Sequence, residues 1–465
     1  MIPETQETPS ATRPYTPSFD IAAVITGAAR LSDGQLLELY ENASLTDLGR
    51  WAFAVTQRLH PEDYRTYVID RNINYTNICT ARCTFCAFKR NDKNAPDAYT
   101  LDADAIHKKI AELAHIGGTQ ILMQGGMNPD LSLAYYENLL RGIREKFPAV
   151  HIHAFSPPEF VEFARFFHMP VADVLRRFQA AGLATVPGGG GEIFAERVRK
   201  RIGPGKCTGE QWLDVMTEAH KLGMHTSATM LIGHIEDITD RIDHLHRLRD
   251  RQDWALAHAP AHYTAFIHWT YQPEHTPLDR KRKWNPDAAG AGFRFDDGRT
   301  VRLAGAHEYL RMLALARLYL DNIRNLQSSW VTMGPKIGQL ALFFGANDMG
   351  SVMMEENVVS SAGTTYRLDE EMICRLIRDA GWVPCQRNQY YAVLRRHDGA
   401  ESPDRRPRRA GTFAPRQHQI TPEEAAAYKA AGVSGRTPGA AVSISLPVSA
   451  AEASCRAPQP QAEAG

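Results

Sequence analysis

The segment Asn72-Ile-Asn-Tyr-Thr-Asn-Ile-Cys79-Thr-Ala-Arg-Cys83-Thr-Phe-Cys86-Ala-Phe88 places three cysteines at C-x3-C-x2-C spacing on what reads as a single loop. Soft thiolates select iron–sulfur clusters, zinc or Cu(I) over hard cations. A cubane cluster has four irons and usually takes four cysteines. The next cysteine after Cys86 is Cys207, about 120 residues on. Three ligands from one loop therefore leave one iron open to a small molecule. A structural zinc loop is the competing reading. Zinc wants four closed ligands, so a fourth would have to come from elsewhere, for example His107 or His115. Zinc sites usually show C-x2-C or H-x3-5-H steps in pairs, and this loop carries a single one, Cys83–Cys86. Disulfides fit worst, because seven cysteines is an odd number and nothing suggests an oxidising compartment.

The totals narrow the class. A chain of 465 residues allows one large domain with additions, or two to three domains. It is 43% hydrophobic, enough for a sizeable core, and its formal net charge is zero. No electrostatic footprint points to nucleic acid. No apolar run approaches the roughly 18 residues of a membrane span. The first ten residues, Met1 to Ser10, have neither the basic nor the apolar region of a secretory signal. The expectation is a soluble, cytoplasmic protein with no membrane span and no nucleic-acid partner. A reducing cytosol also suits a reducible cluster.

Around the cysteine loop the chain alternates strand and helix. Strands are predicted at 68–75, 119–124, 150–155, 183–187, 224–231, 262–269 and 323–328, with a short eighth near 346–348. Helical patterns fill the gaps. Eight such repeats over 65–365 predict an α/β fold, a (β/α)8 TIM-type barrel. A doubly wound sheet competes, but no G-x-G-x-x-G follows the first strand. Residues 1–18, rich in Pro and Thr, are expected to be disordered. A helical N-terminal extension covers 19–64, with starts at Ser32 and Ser44. Residues 366–397 form a C-terminal segment packed on the barrel. The 276–300 insertion reads equally as a lid or as surface decoration. The Arg-, Pro-, Ala- and Gly-rich 398–465 reads as a disordered tail.

In a barrel of this kind, active groups sit at the C-terminal ends of the strands, and the candidate motifs fall there. The cysteine loop, with Phe85, follows the first strand. Gln124-Gly125-Gly126 follows the second. The third ends in His153-Ala-Phe-Ser156-Pro-Pro-Glu159, where Ser156 and Glu159 could bond ribose hydroxyls or form a capping box at a helix start. Gly188-Gly-Gly-Gly191-Glu192 follows the fourth and exposes backbone N–H groups suited to a carboxylate or a hydroxyl-rich ligand. Gly233-His-Ile-Glu236 follows the fifth. His268, Trp269, Tyr271 and Gln272 end the sixth and could face an aromatic substrate.

The cysteine spacing, with Phe85 just before the last cysteine, resembles the signature of the radical S-adenosylmethionine (SAM) superfamily. Over about residues 35–395 the chain resembles, more closely, the cyclic dehypoxanthinyl futalosine synthase (MqnC) family, radical SAM enzymes of the futalosine route to menaquinone. The resemblance rests on Arg71-Asn-Ile-Asn-Tyr-Thr-Asn77, the cysteine loop, Gly117-Gly-Thr-Gln-Ile121, Gln124-Gly-Gly126 and Phe266-Ile-His-Trp-Thr-Tyr-Gln-Pro273. It continues through Gly338-Gln-Leu340, Gly345-Ala-Asn-Asp-Met-Gly-Ser351, Glu355-Glu-Asn-Val-Val-Ser-Ser-Ala-Gly363 and Leu376-Ile-Arg-Asp-Ala-Gly-Trp-Val-Pro384. The sister enzymes aminofutalosine synthase and the F0 synthase subunits share the loop and the barrel. The Trp269-Thr-Tyr-Gln-Pro and Glu355–Gly363 segments favour the cyclising family. A non-catalytic metal-binding barrel is a third reading, and the complete set of glycine-bearing strand ends speaks against it.

The resemblance implies a [4Fe-4S] cluster on Cys79, Cys83 and Cys86, with SAM on the open iron. It implies cofactor contacts from Phe85, Gln124, Gly125, Gly126, Ser156, Gly233 and Glu236. The superfamily's common form of this glycine edge ends in Glu, and this chain has Met127 there instead. A reductant such as flavodoxin or ferredoxin supplies an electron that breaks a C–S bond of SAM and releases a 5′-deoxyadenosyl radical. That radical takes the C4′ hydrogen of dehypoxanthine futalosine. The carbon radical closes onto the benzoate ring, and loss of one electron and one proton restores aromaticity. Glu159, Glu192 and Tyr75 are the candidates to take that proton. Arg71, His153 and the glycine run 188–191 are candidates to meet the substrate carboxylate.

Overall fold

The first barrel strand runs as two halves, Tyr64–Val68 (β1) and Asp70–Ile73 (β2), parted at Ile69. The others are Gln120–Met123 (β3), His151–Ala154 (β4), Thr226–Ile232 (β5), Tyr263–Thr270 (β6), Phe293–Arg294 (β7), Thr300–Val301 (β8), Asn325–Gln327 (β9), Asp348–Ser351 (β10), Val383–Arg387 (β11) and Val393–Arg396 (β12). The structure is a computed structural model that describes residues 15–280, 293–294, 300–406 and 422–430.

The parallel pairing closes on itself. β2, β3 and β4 pair in order. His153 of β4 bridges to Thr185, and Val186 bridges to Thr226 of β5. β5, β6, β9, β10 and β1 then follow side by side. Counting β1 and β2 as one strand and 185–186 as another, this is the predicted eight-stranded α/β barrel. The fourth strand shrinks to two bridges because Pro187 has no N–H with which to continue the ladder. β1 begins four residues before the expected start at 68 (Tyr64 against 68), and the strand leaves the sheet before Asn74.

Helices return the chain between strands. Those at Ala103–His115, Leu133–Lys146, Gly209–Lys221 and Ile238–His258 open on Asp102, Ser132, Thr208 and Asp237. Each of these side chains accepts an N–H two or three residues on, satisfying donors the first turn leaves free. Outside the barrel the helix Leu45–Leu59 packs along Ala306–Tyr319. There the Arg311 guanidinium donates to the carbonyls of Tyr40 and Ala43 at 2.7 and 3.0 Å. Among the described residues no helix is long and apolar enough to cross a membrane.

The C-terminal segment does more than pack on the outside. β11 pairs in parallel with β1 from Tyr64 to Tyr67, on the edge that β2 gives to β3, and β12 pairs antiparallel to β11. The hairpin carries Arg387, Gln389 and Tyr391 into the barrel interior. Arg387 grips Asp348 of β10 with two bonds of 2.6 and 2.9 Å, both side chains buried. Thr66 donates to the same carboxylate at 2.6 Å.

Parts of the expected disordered ends are ordered. Tyr15 and Ser18 both bond Glu38. Residues 398–406 fold back on the helix Glu370–Asp379, where Arg378 holds Asp404 at 2.6 Å and the carbonyl of His397 at 2.7 Å. Pro422–Ala430 is helical. Residues 1–14, most of the 276–300 insertion and the rest of the tail lie outside the described residues.

Removing one partner of a buried ion pair leaves an uncompensated charge, at a cost of about 3–5 kcal/mol. Arg387→Met should therefore lower the urea unfolding free energy by about that much, and adding Asp348→Asn should recover part of it. A loss below about 1 kcal/mol, the worth of a surface pair, would show that this pair does not lock the hairpin.

Candidate active site at the C-terminal strand ends

The cysteine loop is pinned by its backbone. Cys79 N–H donates to the Arg90 carbonyl (2.9 Å), Thr80 N–H to Met127 (3.0 Å), Arg82 N–H to Pro204 (2.9 Å) and Thr84 N–H to Ile202 (2.6 Å). The Asn91 amide donates to the carbonyls of Cys79 and Ala81 at 2.7 and 2.8 Å. Cys83 is buried and Cys79 and Cys86 are half-buried, gathered with Phe85 around Ala81 and Met127. Cys207 faces Arg199 instead, 3.7 Å away. His107 meets Lys146 on the outer helices at 2.9 Å, which removes it as a fourth zinc ligand. Among the described residues no three His, Cys, Asp or Glu side chains converge on one ion. Three thiolates that each hold a separate iron do not need to. The donor set fits a cluster with one iron left open.

The second strand end lies hard against the first. A Cβ on Gly126 would stand 2.1 Å from the Ile78 carbonyl oxygen, and one on Gly125 would stand 2.6 Å from the Tyr75 ring. Only glycine permits that approach. Gly125 N–H donates to Glu159 at 3.1 Å and Gly126 N–H to the Thr76 carbonyl at 2.8 Å. Their own carbonyl oxygens accept no bond among the described residues.

Glu159 accepts four bonds: from Tyr75 O–H (2.7 Å), Gly125 N–H (3.1 Å), Ser156 N–H (2.7 Å) and Ser156 O–H (2.6 Å). It is 2% exposed, and burial raises its pKa. The Tyr75 phenol, walled by Tyr136 and Phe155, is pushed well above its ordinary value by burial. Glu159, Tyr75 and Ser156 thus form a clamp across three strand ends. Glu159 and Tyr75 have no free group facing the cavity with which to take a proton. Ser156 spends its hydroxyl proton on Glu159, as part of the capping arrangement.

Glu192 pairs with Lys206, and both are buried or nearly so. Burial pushes the Glu192 carboxyl up, but Lys206, with Arg199 and His234, outweighs it and holds the carboxyl below the usual range. Lys206 also stands 5.2 Å above the Phe85 ring, which joins this pair to the cysteine loop. In the glycine run, Arg199 takes the carbonyls of Gly190 and Gly191, and the Trp212 indole takes that of Gly189. The N–H groups of Gly189 and Gly190 make no bond among the described residues. Glu236 also departs from expectation. It accepts from the N–H groups of Gly233 (2.6 Å) and His234 (2.8 Å) and from Arg241 (2.7 Å), with its side chain fully buried. It closes its own loop.

These strand ends surround a cavity of about 240 Å³ lined by Asp70, Asn72, Gln120, Gln124, His153, Gly189, Trp269, Trp330 and Arg387. Strand alternation decides which side chains enter it. Trp269 faces in, while His268 faces the helix Ala306–Tyr319 and bonds the Tyr309 carbonyl at 3.1 Å. Asp70 and Asn72 face in. Arg71 faces out and pairs with Glu355 (2.6 Å) and Glu112 (2.7 Å), so it is not available to a substrate carboxylate. His153 bonds Thr185 at 2.7 Å, and burial drives its pKa down to about 3, leaving it neutral. Asp70 and Arg387 were not among the expected site residues. Asp70 was legible as the residue two before Asn72 on one strand face. Arg387 was not, because it arrives on β11.

Asp70 accepts the Ser351 hydroxyl and, at 3.3 Å, the Gln120 amide. Burial raises its pKa from 3.8 to about 6. The folded chain therefore holds this proton more tightly than the unfolded one. The stability carried by the protonated form is fully present below about pH 3.8 and lost as pH rises through about 6. The stability of the wild type relative to Asp70→Asn should fall by on the order of 3 kcal/mol across that window. Urea melts at a series of pH values measure it, and a difference that rose with pH would mean Asp70 is stabilised charged.

Two family models cover most of this chain. Residues 73–248 match the radical SAM superfamily and residues 260–398 the CofH/MqnC C-terminal region. The chain is 44% identical over 376 residues to a cyclic dehypoxanthine futalosine synthase of Halalkalibacterium halodurans, covering 81% of this chain and 95% of that protein. It is 42% identical over 388 residues to one of Streptomyces coelicolor, covering 82% and 91%. Among solved structures, methylornithine synthase superposes with a TM-score of 0.58 at 16% identity over 78% of this chain and 97% of that one, a likeness of fold. On the family models and the identity to these synthases, the chain belongs to the cyclic dehypoxanthine futalosine synthase family of radical SAM enzymes.

Proposed function

We propose that this enzyme converts dehypoxanthine futalosine to cyclic dehypoxanthine futalosine on the futalosine route to menaquinone. One observation carries the reading: a loop with three gathered thiols packs, through Phe85, against the same apolar cluster as Trp269, which lines the barrel cavity. When bound, a [4Fe-4S] cluster on Cys79, Cys83 and Cys86, with SAM on its open iron, supplies one-electron chemistry that side chains cannot.

The chain's own residues position and shield. The unbonded carbonyls of Gly125 and Gly126 suit the ammonium of SAM. The unbonded N–H groups of Gly189 and Gly190 suit a carboxylate. Trp269 offers a face for the substrate's aromatic ring. Of the three proton acceptors named from sequence, Glu192 lies nearest the cysteine loop, paired with Lys206 above the Phe85 ring. A one-electron reductant such as flavodoxin or ferredoxin is required, and Arg82, exposed on the loop, suits an acidic carrier. A reducible cluster also suits a reducing cytoplasm.

The test is anaerobic. The reconstituted enzyme, given dithionite, SAM and dehypoxanthine futalosine, should yield 5′-deoxyadenosine and a product lighter than the substrate by two hydrogens, read by mass spectrometry. Cys83→Ala should abolish both without unfolding the barrel. Cleavage retained by that variant would overturn the cluster assignment. Deoxyadenosine from the wild type without the lighter product would move the chain to another radical SAM reaction.

A further inference from the structure

Two side chains on adjacent strands of the cavity are left incomplete. Asn72 on β2 and Gln120 on β3 both line it and are 7% and 3% exposed. Asn72 Oδ1 and Gln120 Oε1 are buried and accept no hydrogen bond among the described residues. An unmet buried acceptor is costly, and two of them on side chains that line one cavity call for a ligand that donates to both once it turns them inward.

The orientation of Gln120 is built in. Asp70 and Gln120 are cross-strand partners in the β2–β3 register. The Gln120 amide nitrogen donates to one Asp70 oxygen at 3.3 Å, and the Ser351 hydroxyl donates to the other. This turns the Gln120 oxygen away from Asp70. Asn72 lies two residues beyond Asp70 on the same strand face. No cation is ion-paired with Asp70 among the described residues, and Arg387 is spent on Asp348.

The patch therefore offers acceptors and a carboxylate. It repels an anion and selects a neutral ligand rich in O–H donors. We propose that Asn72 and Gln120 accept hydrogen bonds from neighbouring hydroxyl groups on the substrate's sugar ring, with Asp70 as the positioning residue that sets Gln120. This rests on the substrate reading above and adds an orientation to it. Gln120 and Leu122 share one face of β3, and Gln124 follows on that face just past the strand, so the sugar lies against the barrel wall on the side that leads up to the Gly125–Gly126 edge. The substrate carboxylate points elsewhere, toward the free N–H groups of Gly189 and Gly190.

Equilibrium dialysis with the reconstituted full-length enzyme tests this with two probes, dehypoxanthine futalosine and its analogue lacking the two adjacent ring hydroxyls. Asn72→Leu and Gln120→Leu should each weaken binding of the intact substrate roughly tenfold, the size of one good hydrogen bond, and leave the deoxy analogue unaffected. Asp70→Asn should weaken the substrate less and the analogue not at all. If a leucine variant melts early, the corresponding alanine variant gives the same comparison. Equal weakening of both probes, or of neither, overturns the proposal while leaving the substrate reading intact. Failure of the wild type to bind the intact substrate overturns that reading, and this site with it.

Discussion

One buried carboxylate sets the geometry of the reactive end of the barrel. Glu159 draws in the Tyr75 phenol, the Gly125 N–H and both polar hydrogens of Ser156, so that three consecutive strand ends meet at two oxygen atoms. Hydrogen bonds to a charged acceptor contribute about 1.5–3 kcal/mol each. Breaking the arrangement would also strand buried donors. Tyr75 lies four residues before Cys79, and the glycines that follow β3 press against the same stretch. The cysteine loop thus leaves the barrel from a fixed point, beside a fixed backbone edge.

The other buried acids follow the same economy. Glu236 closes the turn after β5, Glu356 accepts three successive N–H groups from Val358 to Ser360, and Glu355 binds Arg71 and Lys109 on the outer face of β2. Each keeps a loop in place and has little left for a ligand. Asp70 differs. It faces the cavity with a hydroxyl and a long amide contact as its partners. A barrel that must hold a polar substrate beside a reactive cofactor needs rigid loops and a few unsatisfied groups, and this one separates the two tasks between different carboxylates.

The eight-fold alternation and the cysteine loop were legible in the sequence, because both are local: a strand period, a helix period and a ligand spacing. The helix-cap reading of Ser156 and Glu159 was also legible, and the structure has it. What the sequence could not show is whether a carboxylate's lone pairs are already taken. Glu159 and Glu236 sit in motifs at the right strand ends, yet their oxygens are already engaged by nearby N–H, O–H and guanidinium groups. Arg387 was hidden for a different reason. It reaches the cavity only because β11 pairs with β1 across more than three hundred residues of sequence, a contact no local pattern announces. Arg71 shows the converse. It lies in the most telling motif of the chain, and strand alternation turns it outward.

The central claim is that the three-cysteine loop leaves one iron of a four-iron cluster open to a small ligand at the mouth of this cavity. Electron paramagnetic resonance of the reduced, reconstituted enzyme, recorded with and without saturating SAM, tests it most directly. The account predicts a cubane signal whose shape changes when SAM is added, because the ligand binds iron. A cubane signal indifferent to SAM, or a protein that takes up one zinc and no cluster, would contradict it.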